Sequence, residues 1–215
     1  MPSLIYVADP MCSWCYGFAP ELVTLLQGLP DIPVDIVVGG LRAYNKEALG
    51  EQMHATLREH WQRVAGASNL QFAPDHPMAP GFVYDTEPAC RAVVTARALA
   101  PSATLSVFHA IQYAFYAEGR DVTQADVLAE AASRELAEAG FSIAPAAFRE
   151  KWMTPEMVAE TAADFGQTRR WGVSGFPTLI LERDGKLDLV TSGYVKTEQL
   201  VEQMQALVDR EAVPG

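Results

Sequence analysis

Cysteine is scarce in this chain, with three among 215 residues. Three thiols do not make a disulfide framework, and close-set cysteines in a reducing compartment point to metal binding or thiol catalysis. Histidine is nearly as rare: His54, His60, His76 and His109 show no paired metal-ligand spacing. Long apolar runs are missing, and none approaches the roughly 18 residues of a membrane span. The N-terminal MPSLIYVAD lacks a basic segment and reaches Asp9 too soon for a secretory signal, so a cytoplasmic protein is expected. Basic residues are outnumbered 16 to 27, for a net charge of -11. Such a surface repels phosphate backbones and anionic lipid, which argues against nucleic-acid and membrane partners. What remains is ordinary globular composition, 49% hydrophobic and 20% charged. The length suits one domain, or one domain carrying an insert.

Hydrophobic periodicity orders the chain. Residues 3 to 8 read as a strand, and 12 to 29 as a helix with Phe18, Leu22, Leu25, Leu26 and Leu29 on one face. Pro20 falls inside that helix and is expected to kink it. Residues 33 to 38 read as a second strand, ended by Gly39-Gly40. About a hundred helical residues follow. Leu49, Met53, Leu57, Trp61 and Val64 mark the face of one helix near 46 to 64, and a Pro- and Gly-rich loop, containing His76, spans roughly 66 to 86. That loop is a candidate lid. Thr86 reads as an N-cap with Pro88 in the first turn. The stretch 103 to 117 is apolar nearly all round and reads as a buried central helix. Helices near 123 to 139 and 144 to 152 follow, then one opened by Thr154-Pro155 and ending near Trp171. Residues 178 to 183 and 187 to 191 form a hairpin across Asp184-Gly185. Thr197 caps a last helix whose face is Leu200, Val201, Met204, Leu207 and Val208.

The stretch DPMCSWCYGF, residues 9 to 18, carries the chemistry. Cys12 falls where the first strand hands over to the first helix. Free backbone N–H groups and the helix dipole favour an anion there, so the sequence predicts a Cys12 more acidic than a free thiol of about 8.5. Cys15 lies one helical turn on and can close a disulfide or resolve a mixed one. A structural zinc site wants four ligands, against one CxxC and the lone Cys90. Inert buried thiols are the other alternative.

CSWC followed by four residues and then Pro20 resembles the thioredoxin superfamily, in which a CxxC opens a helix kinked by proline. GVSGFPTLIL, residues 172 to 181, is similar to the loop that carries the superfamily's cis-proline before the third core strand. The helical block after the second strand resembles the DsbA-like branch, including FrnE-like proteins (the predicted protein-disulfide isomerase branch), glutathione transferase kappa and hydroxychromene-carboxylate isomerases. The resemblance implies an α/β thioredoxin fold: a four-stranded mixed sheet flanked by helices, with an inserted all-helical subdomain. Residues 1–40 and 153–215 would form the thioredoxin-like domain, and 41–152 the insert.

The resemblance also implies a thiol–disulfide oxidoreductase or disulfide isomerase. Cys12 would be the nucleophile, Cys15 the resolving thiol and Pro177 the cis-proline. Trp14, Gly175 and Phe176 would contact substrate and Ser13 would tune the couple, while Asp9 is expected to cap the first helix or shape the turn with Pro10, with proton transfer as its alternative role. No metal and no tightly bound cofactor is expected. Glutathione is a candidate co-substrate, and thiol- or disulfide-containing proteins or low-molecular-weight thiols are the partners. Two departures stand out. The buried acid that such proteins carry on the first strand is replaced by Tyr6. The transferase and isomerase branch usually has Ser where this chain has Cys12, which favours dithiol chemistry over glutathione-dependent isomerisation. A redox-regulated binding module or holdase is the alternative from another class. Cys90 reads as a buried core thiol, Tyr16, Phe18 and Trp171 as packing residues, and Arg169 and Arg170 as charges offsetting a helix dipole.

Overall fold

The computed structural model describes residues 2–73 and 81–212, with side chains of the last helix described to 207. Four strands, β1 (Ser3–Ala8), β2 (Val34–Val38), β3 (Thr178–Arg183) and β4 (Lys186–Ser192), form one sheet in the order β2-β1-β3-β4. β1 and β2 run parallel, joined by helix α1 (Ser13–Gln27). β3 is antiparallel to both β1 and β4. This is the expected four-stranded mixed sheet. The β3–β4 turn works because Asp184 and Gly185 both take positive φ, 51° and 79°, as a two-residue hairpin demands.

Between β2 and β3 run α2 (Glu51–Ser68), α3 (Glu87–Leu99), α4 (Thr104–Tyr116), α5 (Ala125–Glu138), α6 (Pro145–Trp152) and α7 (Pro155–Arg170); α8 (Thr197–Ala212) closes the order. β1 is buried on both faces. Leu4, Tyr6 and Ala8 point into the main core with α1, α3 and α4. Ile5 and Val7 meet Ile180, Trp171 and Val173 on the other side. Arg97 of α3 and Asp164 of α7 pair through two contacts of 2.8 and 3.0 Å. Arg97 also donates to Ile36 O, and Asp164 accepts from Val38 N, so the ion pair pins both helices to β2.

Several expectations are corrected. α2 starts at Glu51, because Leu49 is taken by a backbone bond to Phe82 O beside the Ala48–Val83 bridge. The helix face rotates accordingly: His54 is buried and Met53 is exposed. Thr86 does not cap α3 with its side chain, because its hydroxyl accepts from Arg42 N; Asp85 receives the Glu87 N–H instead. Thr197 does not cap with its own oxygen: Glu21 accepts both its N–H and its hydroxyl. Val201 faces solvent at 54% exposure, and Trp171 is only half-buried. His76 and Val208's side chain lie outside the described residues, as does most of the proline-rich stretch of the candidate lid.

Candidate active site

Asp9 shapes the approach to α1. Its Oδ1 accepts from Met11 N at 2.8 Å, and its backbone oxygen accepts from Cys12 N at 3.0 Å. Oδ2 accepts from Leu41 N at 2.6 Å and from the Cys90 thiol at 3.5 Å. One buried carboxylate thus ties the β1–α1 turn to the segment after β2. Burial raises the Asp9 carboxyl above its ordinary range, outweighing the N–H groups of Leu41 and Met11 that pull it down. Met11 O is held from the other side by the hydroxyls of Tyr84 and, at 2.6 Å, Tyr116.

The turn delivers Cys12 to the N-cap of α1, with extended φ/ψ of -90° and 117°. Cys12 is 6% exposed and Cys15 is fully buried one turn below. Burial pushes the Cys15 thiol well up, and its hydrogen bond to Cys12 and the charge on Cys12 push it further; the Asp9 N–H pulls partly back. Both cysteines are free thiols. Ser13 and Trp14, between them, are half-buried, and the Trp14 ring lies 5.5 Å from that of Tyr194.

The second half of the site comes from the far end of the chain. Phe176-Pro177 is a cis peptide bond, and Pro177 is buried. The Cys12 thiol donates to Phe176 O over 3.7 Å. Pro177 O accepts from Gly193 N, and Gly175 O accepts from the Thr178 hydroxyl, so neighbouring strands brace the loop. The Phe176 ring sits over Gly39, where a Cβ would come within 2.0 Å of it. Cys12, Cys15, Asp9, Phe176 and Pro177 therefore meet in one place.

Residues 3–205 match the DSBA-like thioredoxin domain family. The chain belongs to that family. A solved protein of Nitrosomonas europaea, described as a candidate protein disulfide isomerase, is similar at 34% identity. The match covers 97% of this chain and 98% of that one, with a TM-score of 0.86. The cytosolic disulfide reductase DsbM of Pseudomonas aeruginosa is 26% identical over 98% of this chain and 100% of its own, at TM-score 0.74. Its structure with glutathione is similar at 25% identity and TM-score 0.71, over the same shares of the two chains. No curated protein matches. The DSBA-like chain is thus a protein thiol–disulfide oxidoreductase.

Tyr84, Tyr116, Leu41, Gly39 and Tyr194 belong to the surroundings of this DSBA-like site, yet nothing local in the sequence marks them. Their contacts join positions far apart in the chain, such as Tyr116 with Met11 across 105 residues. Cys90 is fully buried as expected, but it touches Asp9 rather than merely packing. Among the described residues no cluster of three or more His, Cys, Asp or Glu could hold a metal, and no helix is long and apolar enough to cross a membrane.

Proposed function

We propose that Cys12 and Cys15 are the redox couple and that the chain works as a cytoplasmic disulfide reductase or isomerase. The observation that carries this reading is the Cys12 sulfur, 3.7 Å from the carbonyl of Phe176 at the cis bond to Pro177. A half-buried edge of backbone beside a nucleophilic sulfur suits an extended peptide or glutathione, with Gly175, Phe176 and Trp14 as its contacts. Ser13 tunes the couple from between the cysteines. The helical segment 41–152 acts as an insert on a thioredoxin-like body formed by 1–40 and 153–215.

The Cys12 thiolate attacks one sulfur of a substrate disulfide, forming a mixed disulfide and releasing the first substrate thiolate. Cys15 loses its proton and attacks Cys12 Sγ. The second substrate thiolate leaves and is protonated. The substrate gains two electrons, and Cys12–Cys15 becomes a disulfide, reduced again by a low-molecular-weight thiol. When a substrate thiol attacks the mixed disulfide first, the outcome is isomerisation. Net reduction is favoured by the poise of a glutathione-rich cytosol. The glutathione complex of DsbM supports glutathione as co-substrate.

The test is turnover of a glutathione mixed disulfide coupled to glutathione reductase. Cys12→Ser is expected to abolish it. Full activity in Cys12→Ser would remove the reading.

A further inference from the structure

Tyr6 sits in β1 between Ile36 of β2 and Leu179 of β3, and strand alternation turns its side chain toward α1. Its ring is fixed 6.0 Å from Phe18 and 5.7 Å, edge-on, from Phe108. The oxygen is fully buried and has no hydrogen-bond partner of ordinary geometry; the polar groups it faces are the Cys15 and Cys12 sulfurs, Cys15 foremost. Phenylalanine would fill the same space without burying an unpaired hydroxyl, which is a cost to the fold.

We infer that the Tyr6 hydroxyl donates to Cys15 Sγ and stabilises the thiolate formed when the mixed disulfide resolves. The inference rests on the redox reading of Cys12 and Cys15. Asp9 is the other group near Cys15, but both its oxygens already accept hydrogen bonds, from Met11 N, Leu41 N and Cys90. Burial and the nearby sulfurs keep the Tyr6 phenol protonated, so it is a donor and not the base. Cys15 gives up its proton to water before it attacks, and the departing substrate thiolate takes one up from water afterwards, so the resolution step is proton-neutral. In the mixed disulfide Cys12 carries no charge, so it no longer holds the Cys15 thiol up. The donors left to Cys15 are the Asp9 N–H and Tyr6.

The experiment uses the full chain, with glutathione disulfide as substrate, quenched by acid and read by mass spectrometry. In a Cys15→Ser background, Tyr6→Phe is expected to form the Cys12 adduct at the parent rate. With Cys15 present, Tyr6→Phe is expected to resolve the adduct about tenfold more slowly, with the pH midpoint of resolution raised by about one unit. Meta-fluorotyrosine at position 6 keeps the shape and is a stronger donor, so its midpoint is expected to fall. It decides the matter alone if Tyr6→Phe does not fold. Adducts that resolve with an unchanged rate and pH profile in these variants overturn the inference and leave the redox reading standing. If Cys12 forms no adduct in any variant, the redox reading falls and the inference with it.

Discussion

The ring of Phe176 occupies the space that a side chain on Gly39 would need: a Cβ there would lie 2.0 Å from its Cζ atom. The end of β2 and the loop before β3 are therefore fitted to one another, and the loop's carbonyl is the one that meets Cys12. Gly39→Ala is expected to push Phe176 aside. Overpacking of this kind costs about 1–3 kcal/mol, visible as a lower melting temperature. The KM for glutathione disulfide is expected to rise while alkylation of Cys12 keeps its rate. An unchanged KM would mean that the loop does not bind substrate.

Asp9 is a structural clamp first. Asp9→Asn turns an amide donor toward an N–H of Met11 or Leu41, leaving buried groups unpaired. A loss of about 2–4 kcal/mol is expected in urea denaturation. Unaltered stability with a shifted pH–rate profile would instead favour a proton-transfer role.

His109 of α4 is held down to about 4 by burial. Its unfolded value is near 6.5, so between those limits the unfolded chain binds the extra proton. Its contribution is complete above about 6.5 and is lost as pH falls toward about 4. Glu21 contributes in the same direction at lower pH. Burial would raise it, but the hydrogen bonds from Thr197 and Lys196 outweigh burial and lower it. Comparing urea midpoints of the native chain and His109→Gln isolates the histidine: the native chain is expected to lose about 2 kcal/mol more between pH 7 and 4.

Cys90 is fully buried, and burial together with the Asp9 carboxylate pushes its thiol up. It is expected to resist iodoacetamide until the protein unfolds, while Cys12 reacts in the native state. Cys90→Ala is expected to preserve turnover and lower stability by about 1 kcal/mol.

The strands and their succession along the chain were legible because their signals are local: β-branched runs, the Asp184-Gly185 turn and the apolar spacing of α1; their order across the sheet came only with the fold. The two motif stretches were legible for the same reason. The α2 boundary was not, because Leu49 answers to Phe82 through a contact outside the helix. Nor were the caps of α3 and α8, where Arg42 and Glu21 claim hydroxyls that the local sequence assigns to the helix ends. Position 6 was readable as a departure, but only the fold turns its hydroxyl toward Cys15.

The most direct measurement is equilibration of the protein in glutathione redox buffers, followed by alkylation and peptide mapping. The expected result is one two-electron transition that forms a disulfide between Cys12 and Cys15 and leaves Cys90 reduced. A disulfide that includes Cys90, or no Cys12–Cys15 disulfide at any buffer ratio, would contradict the assignment of the redox couple.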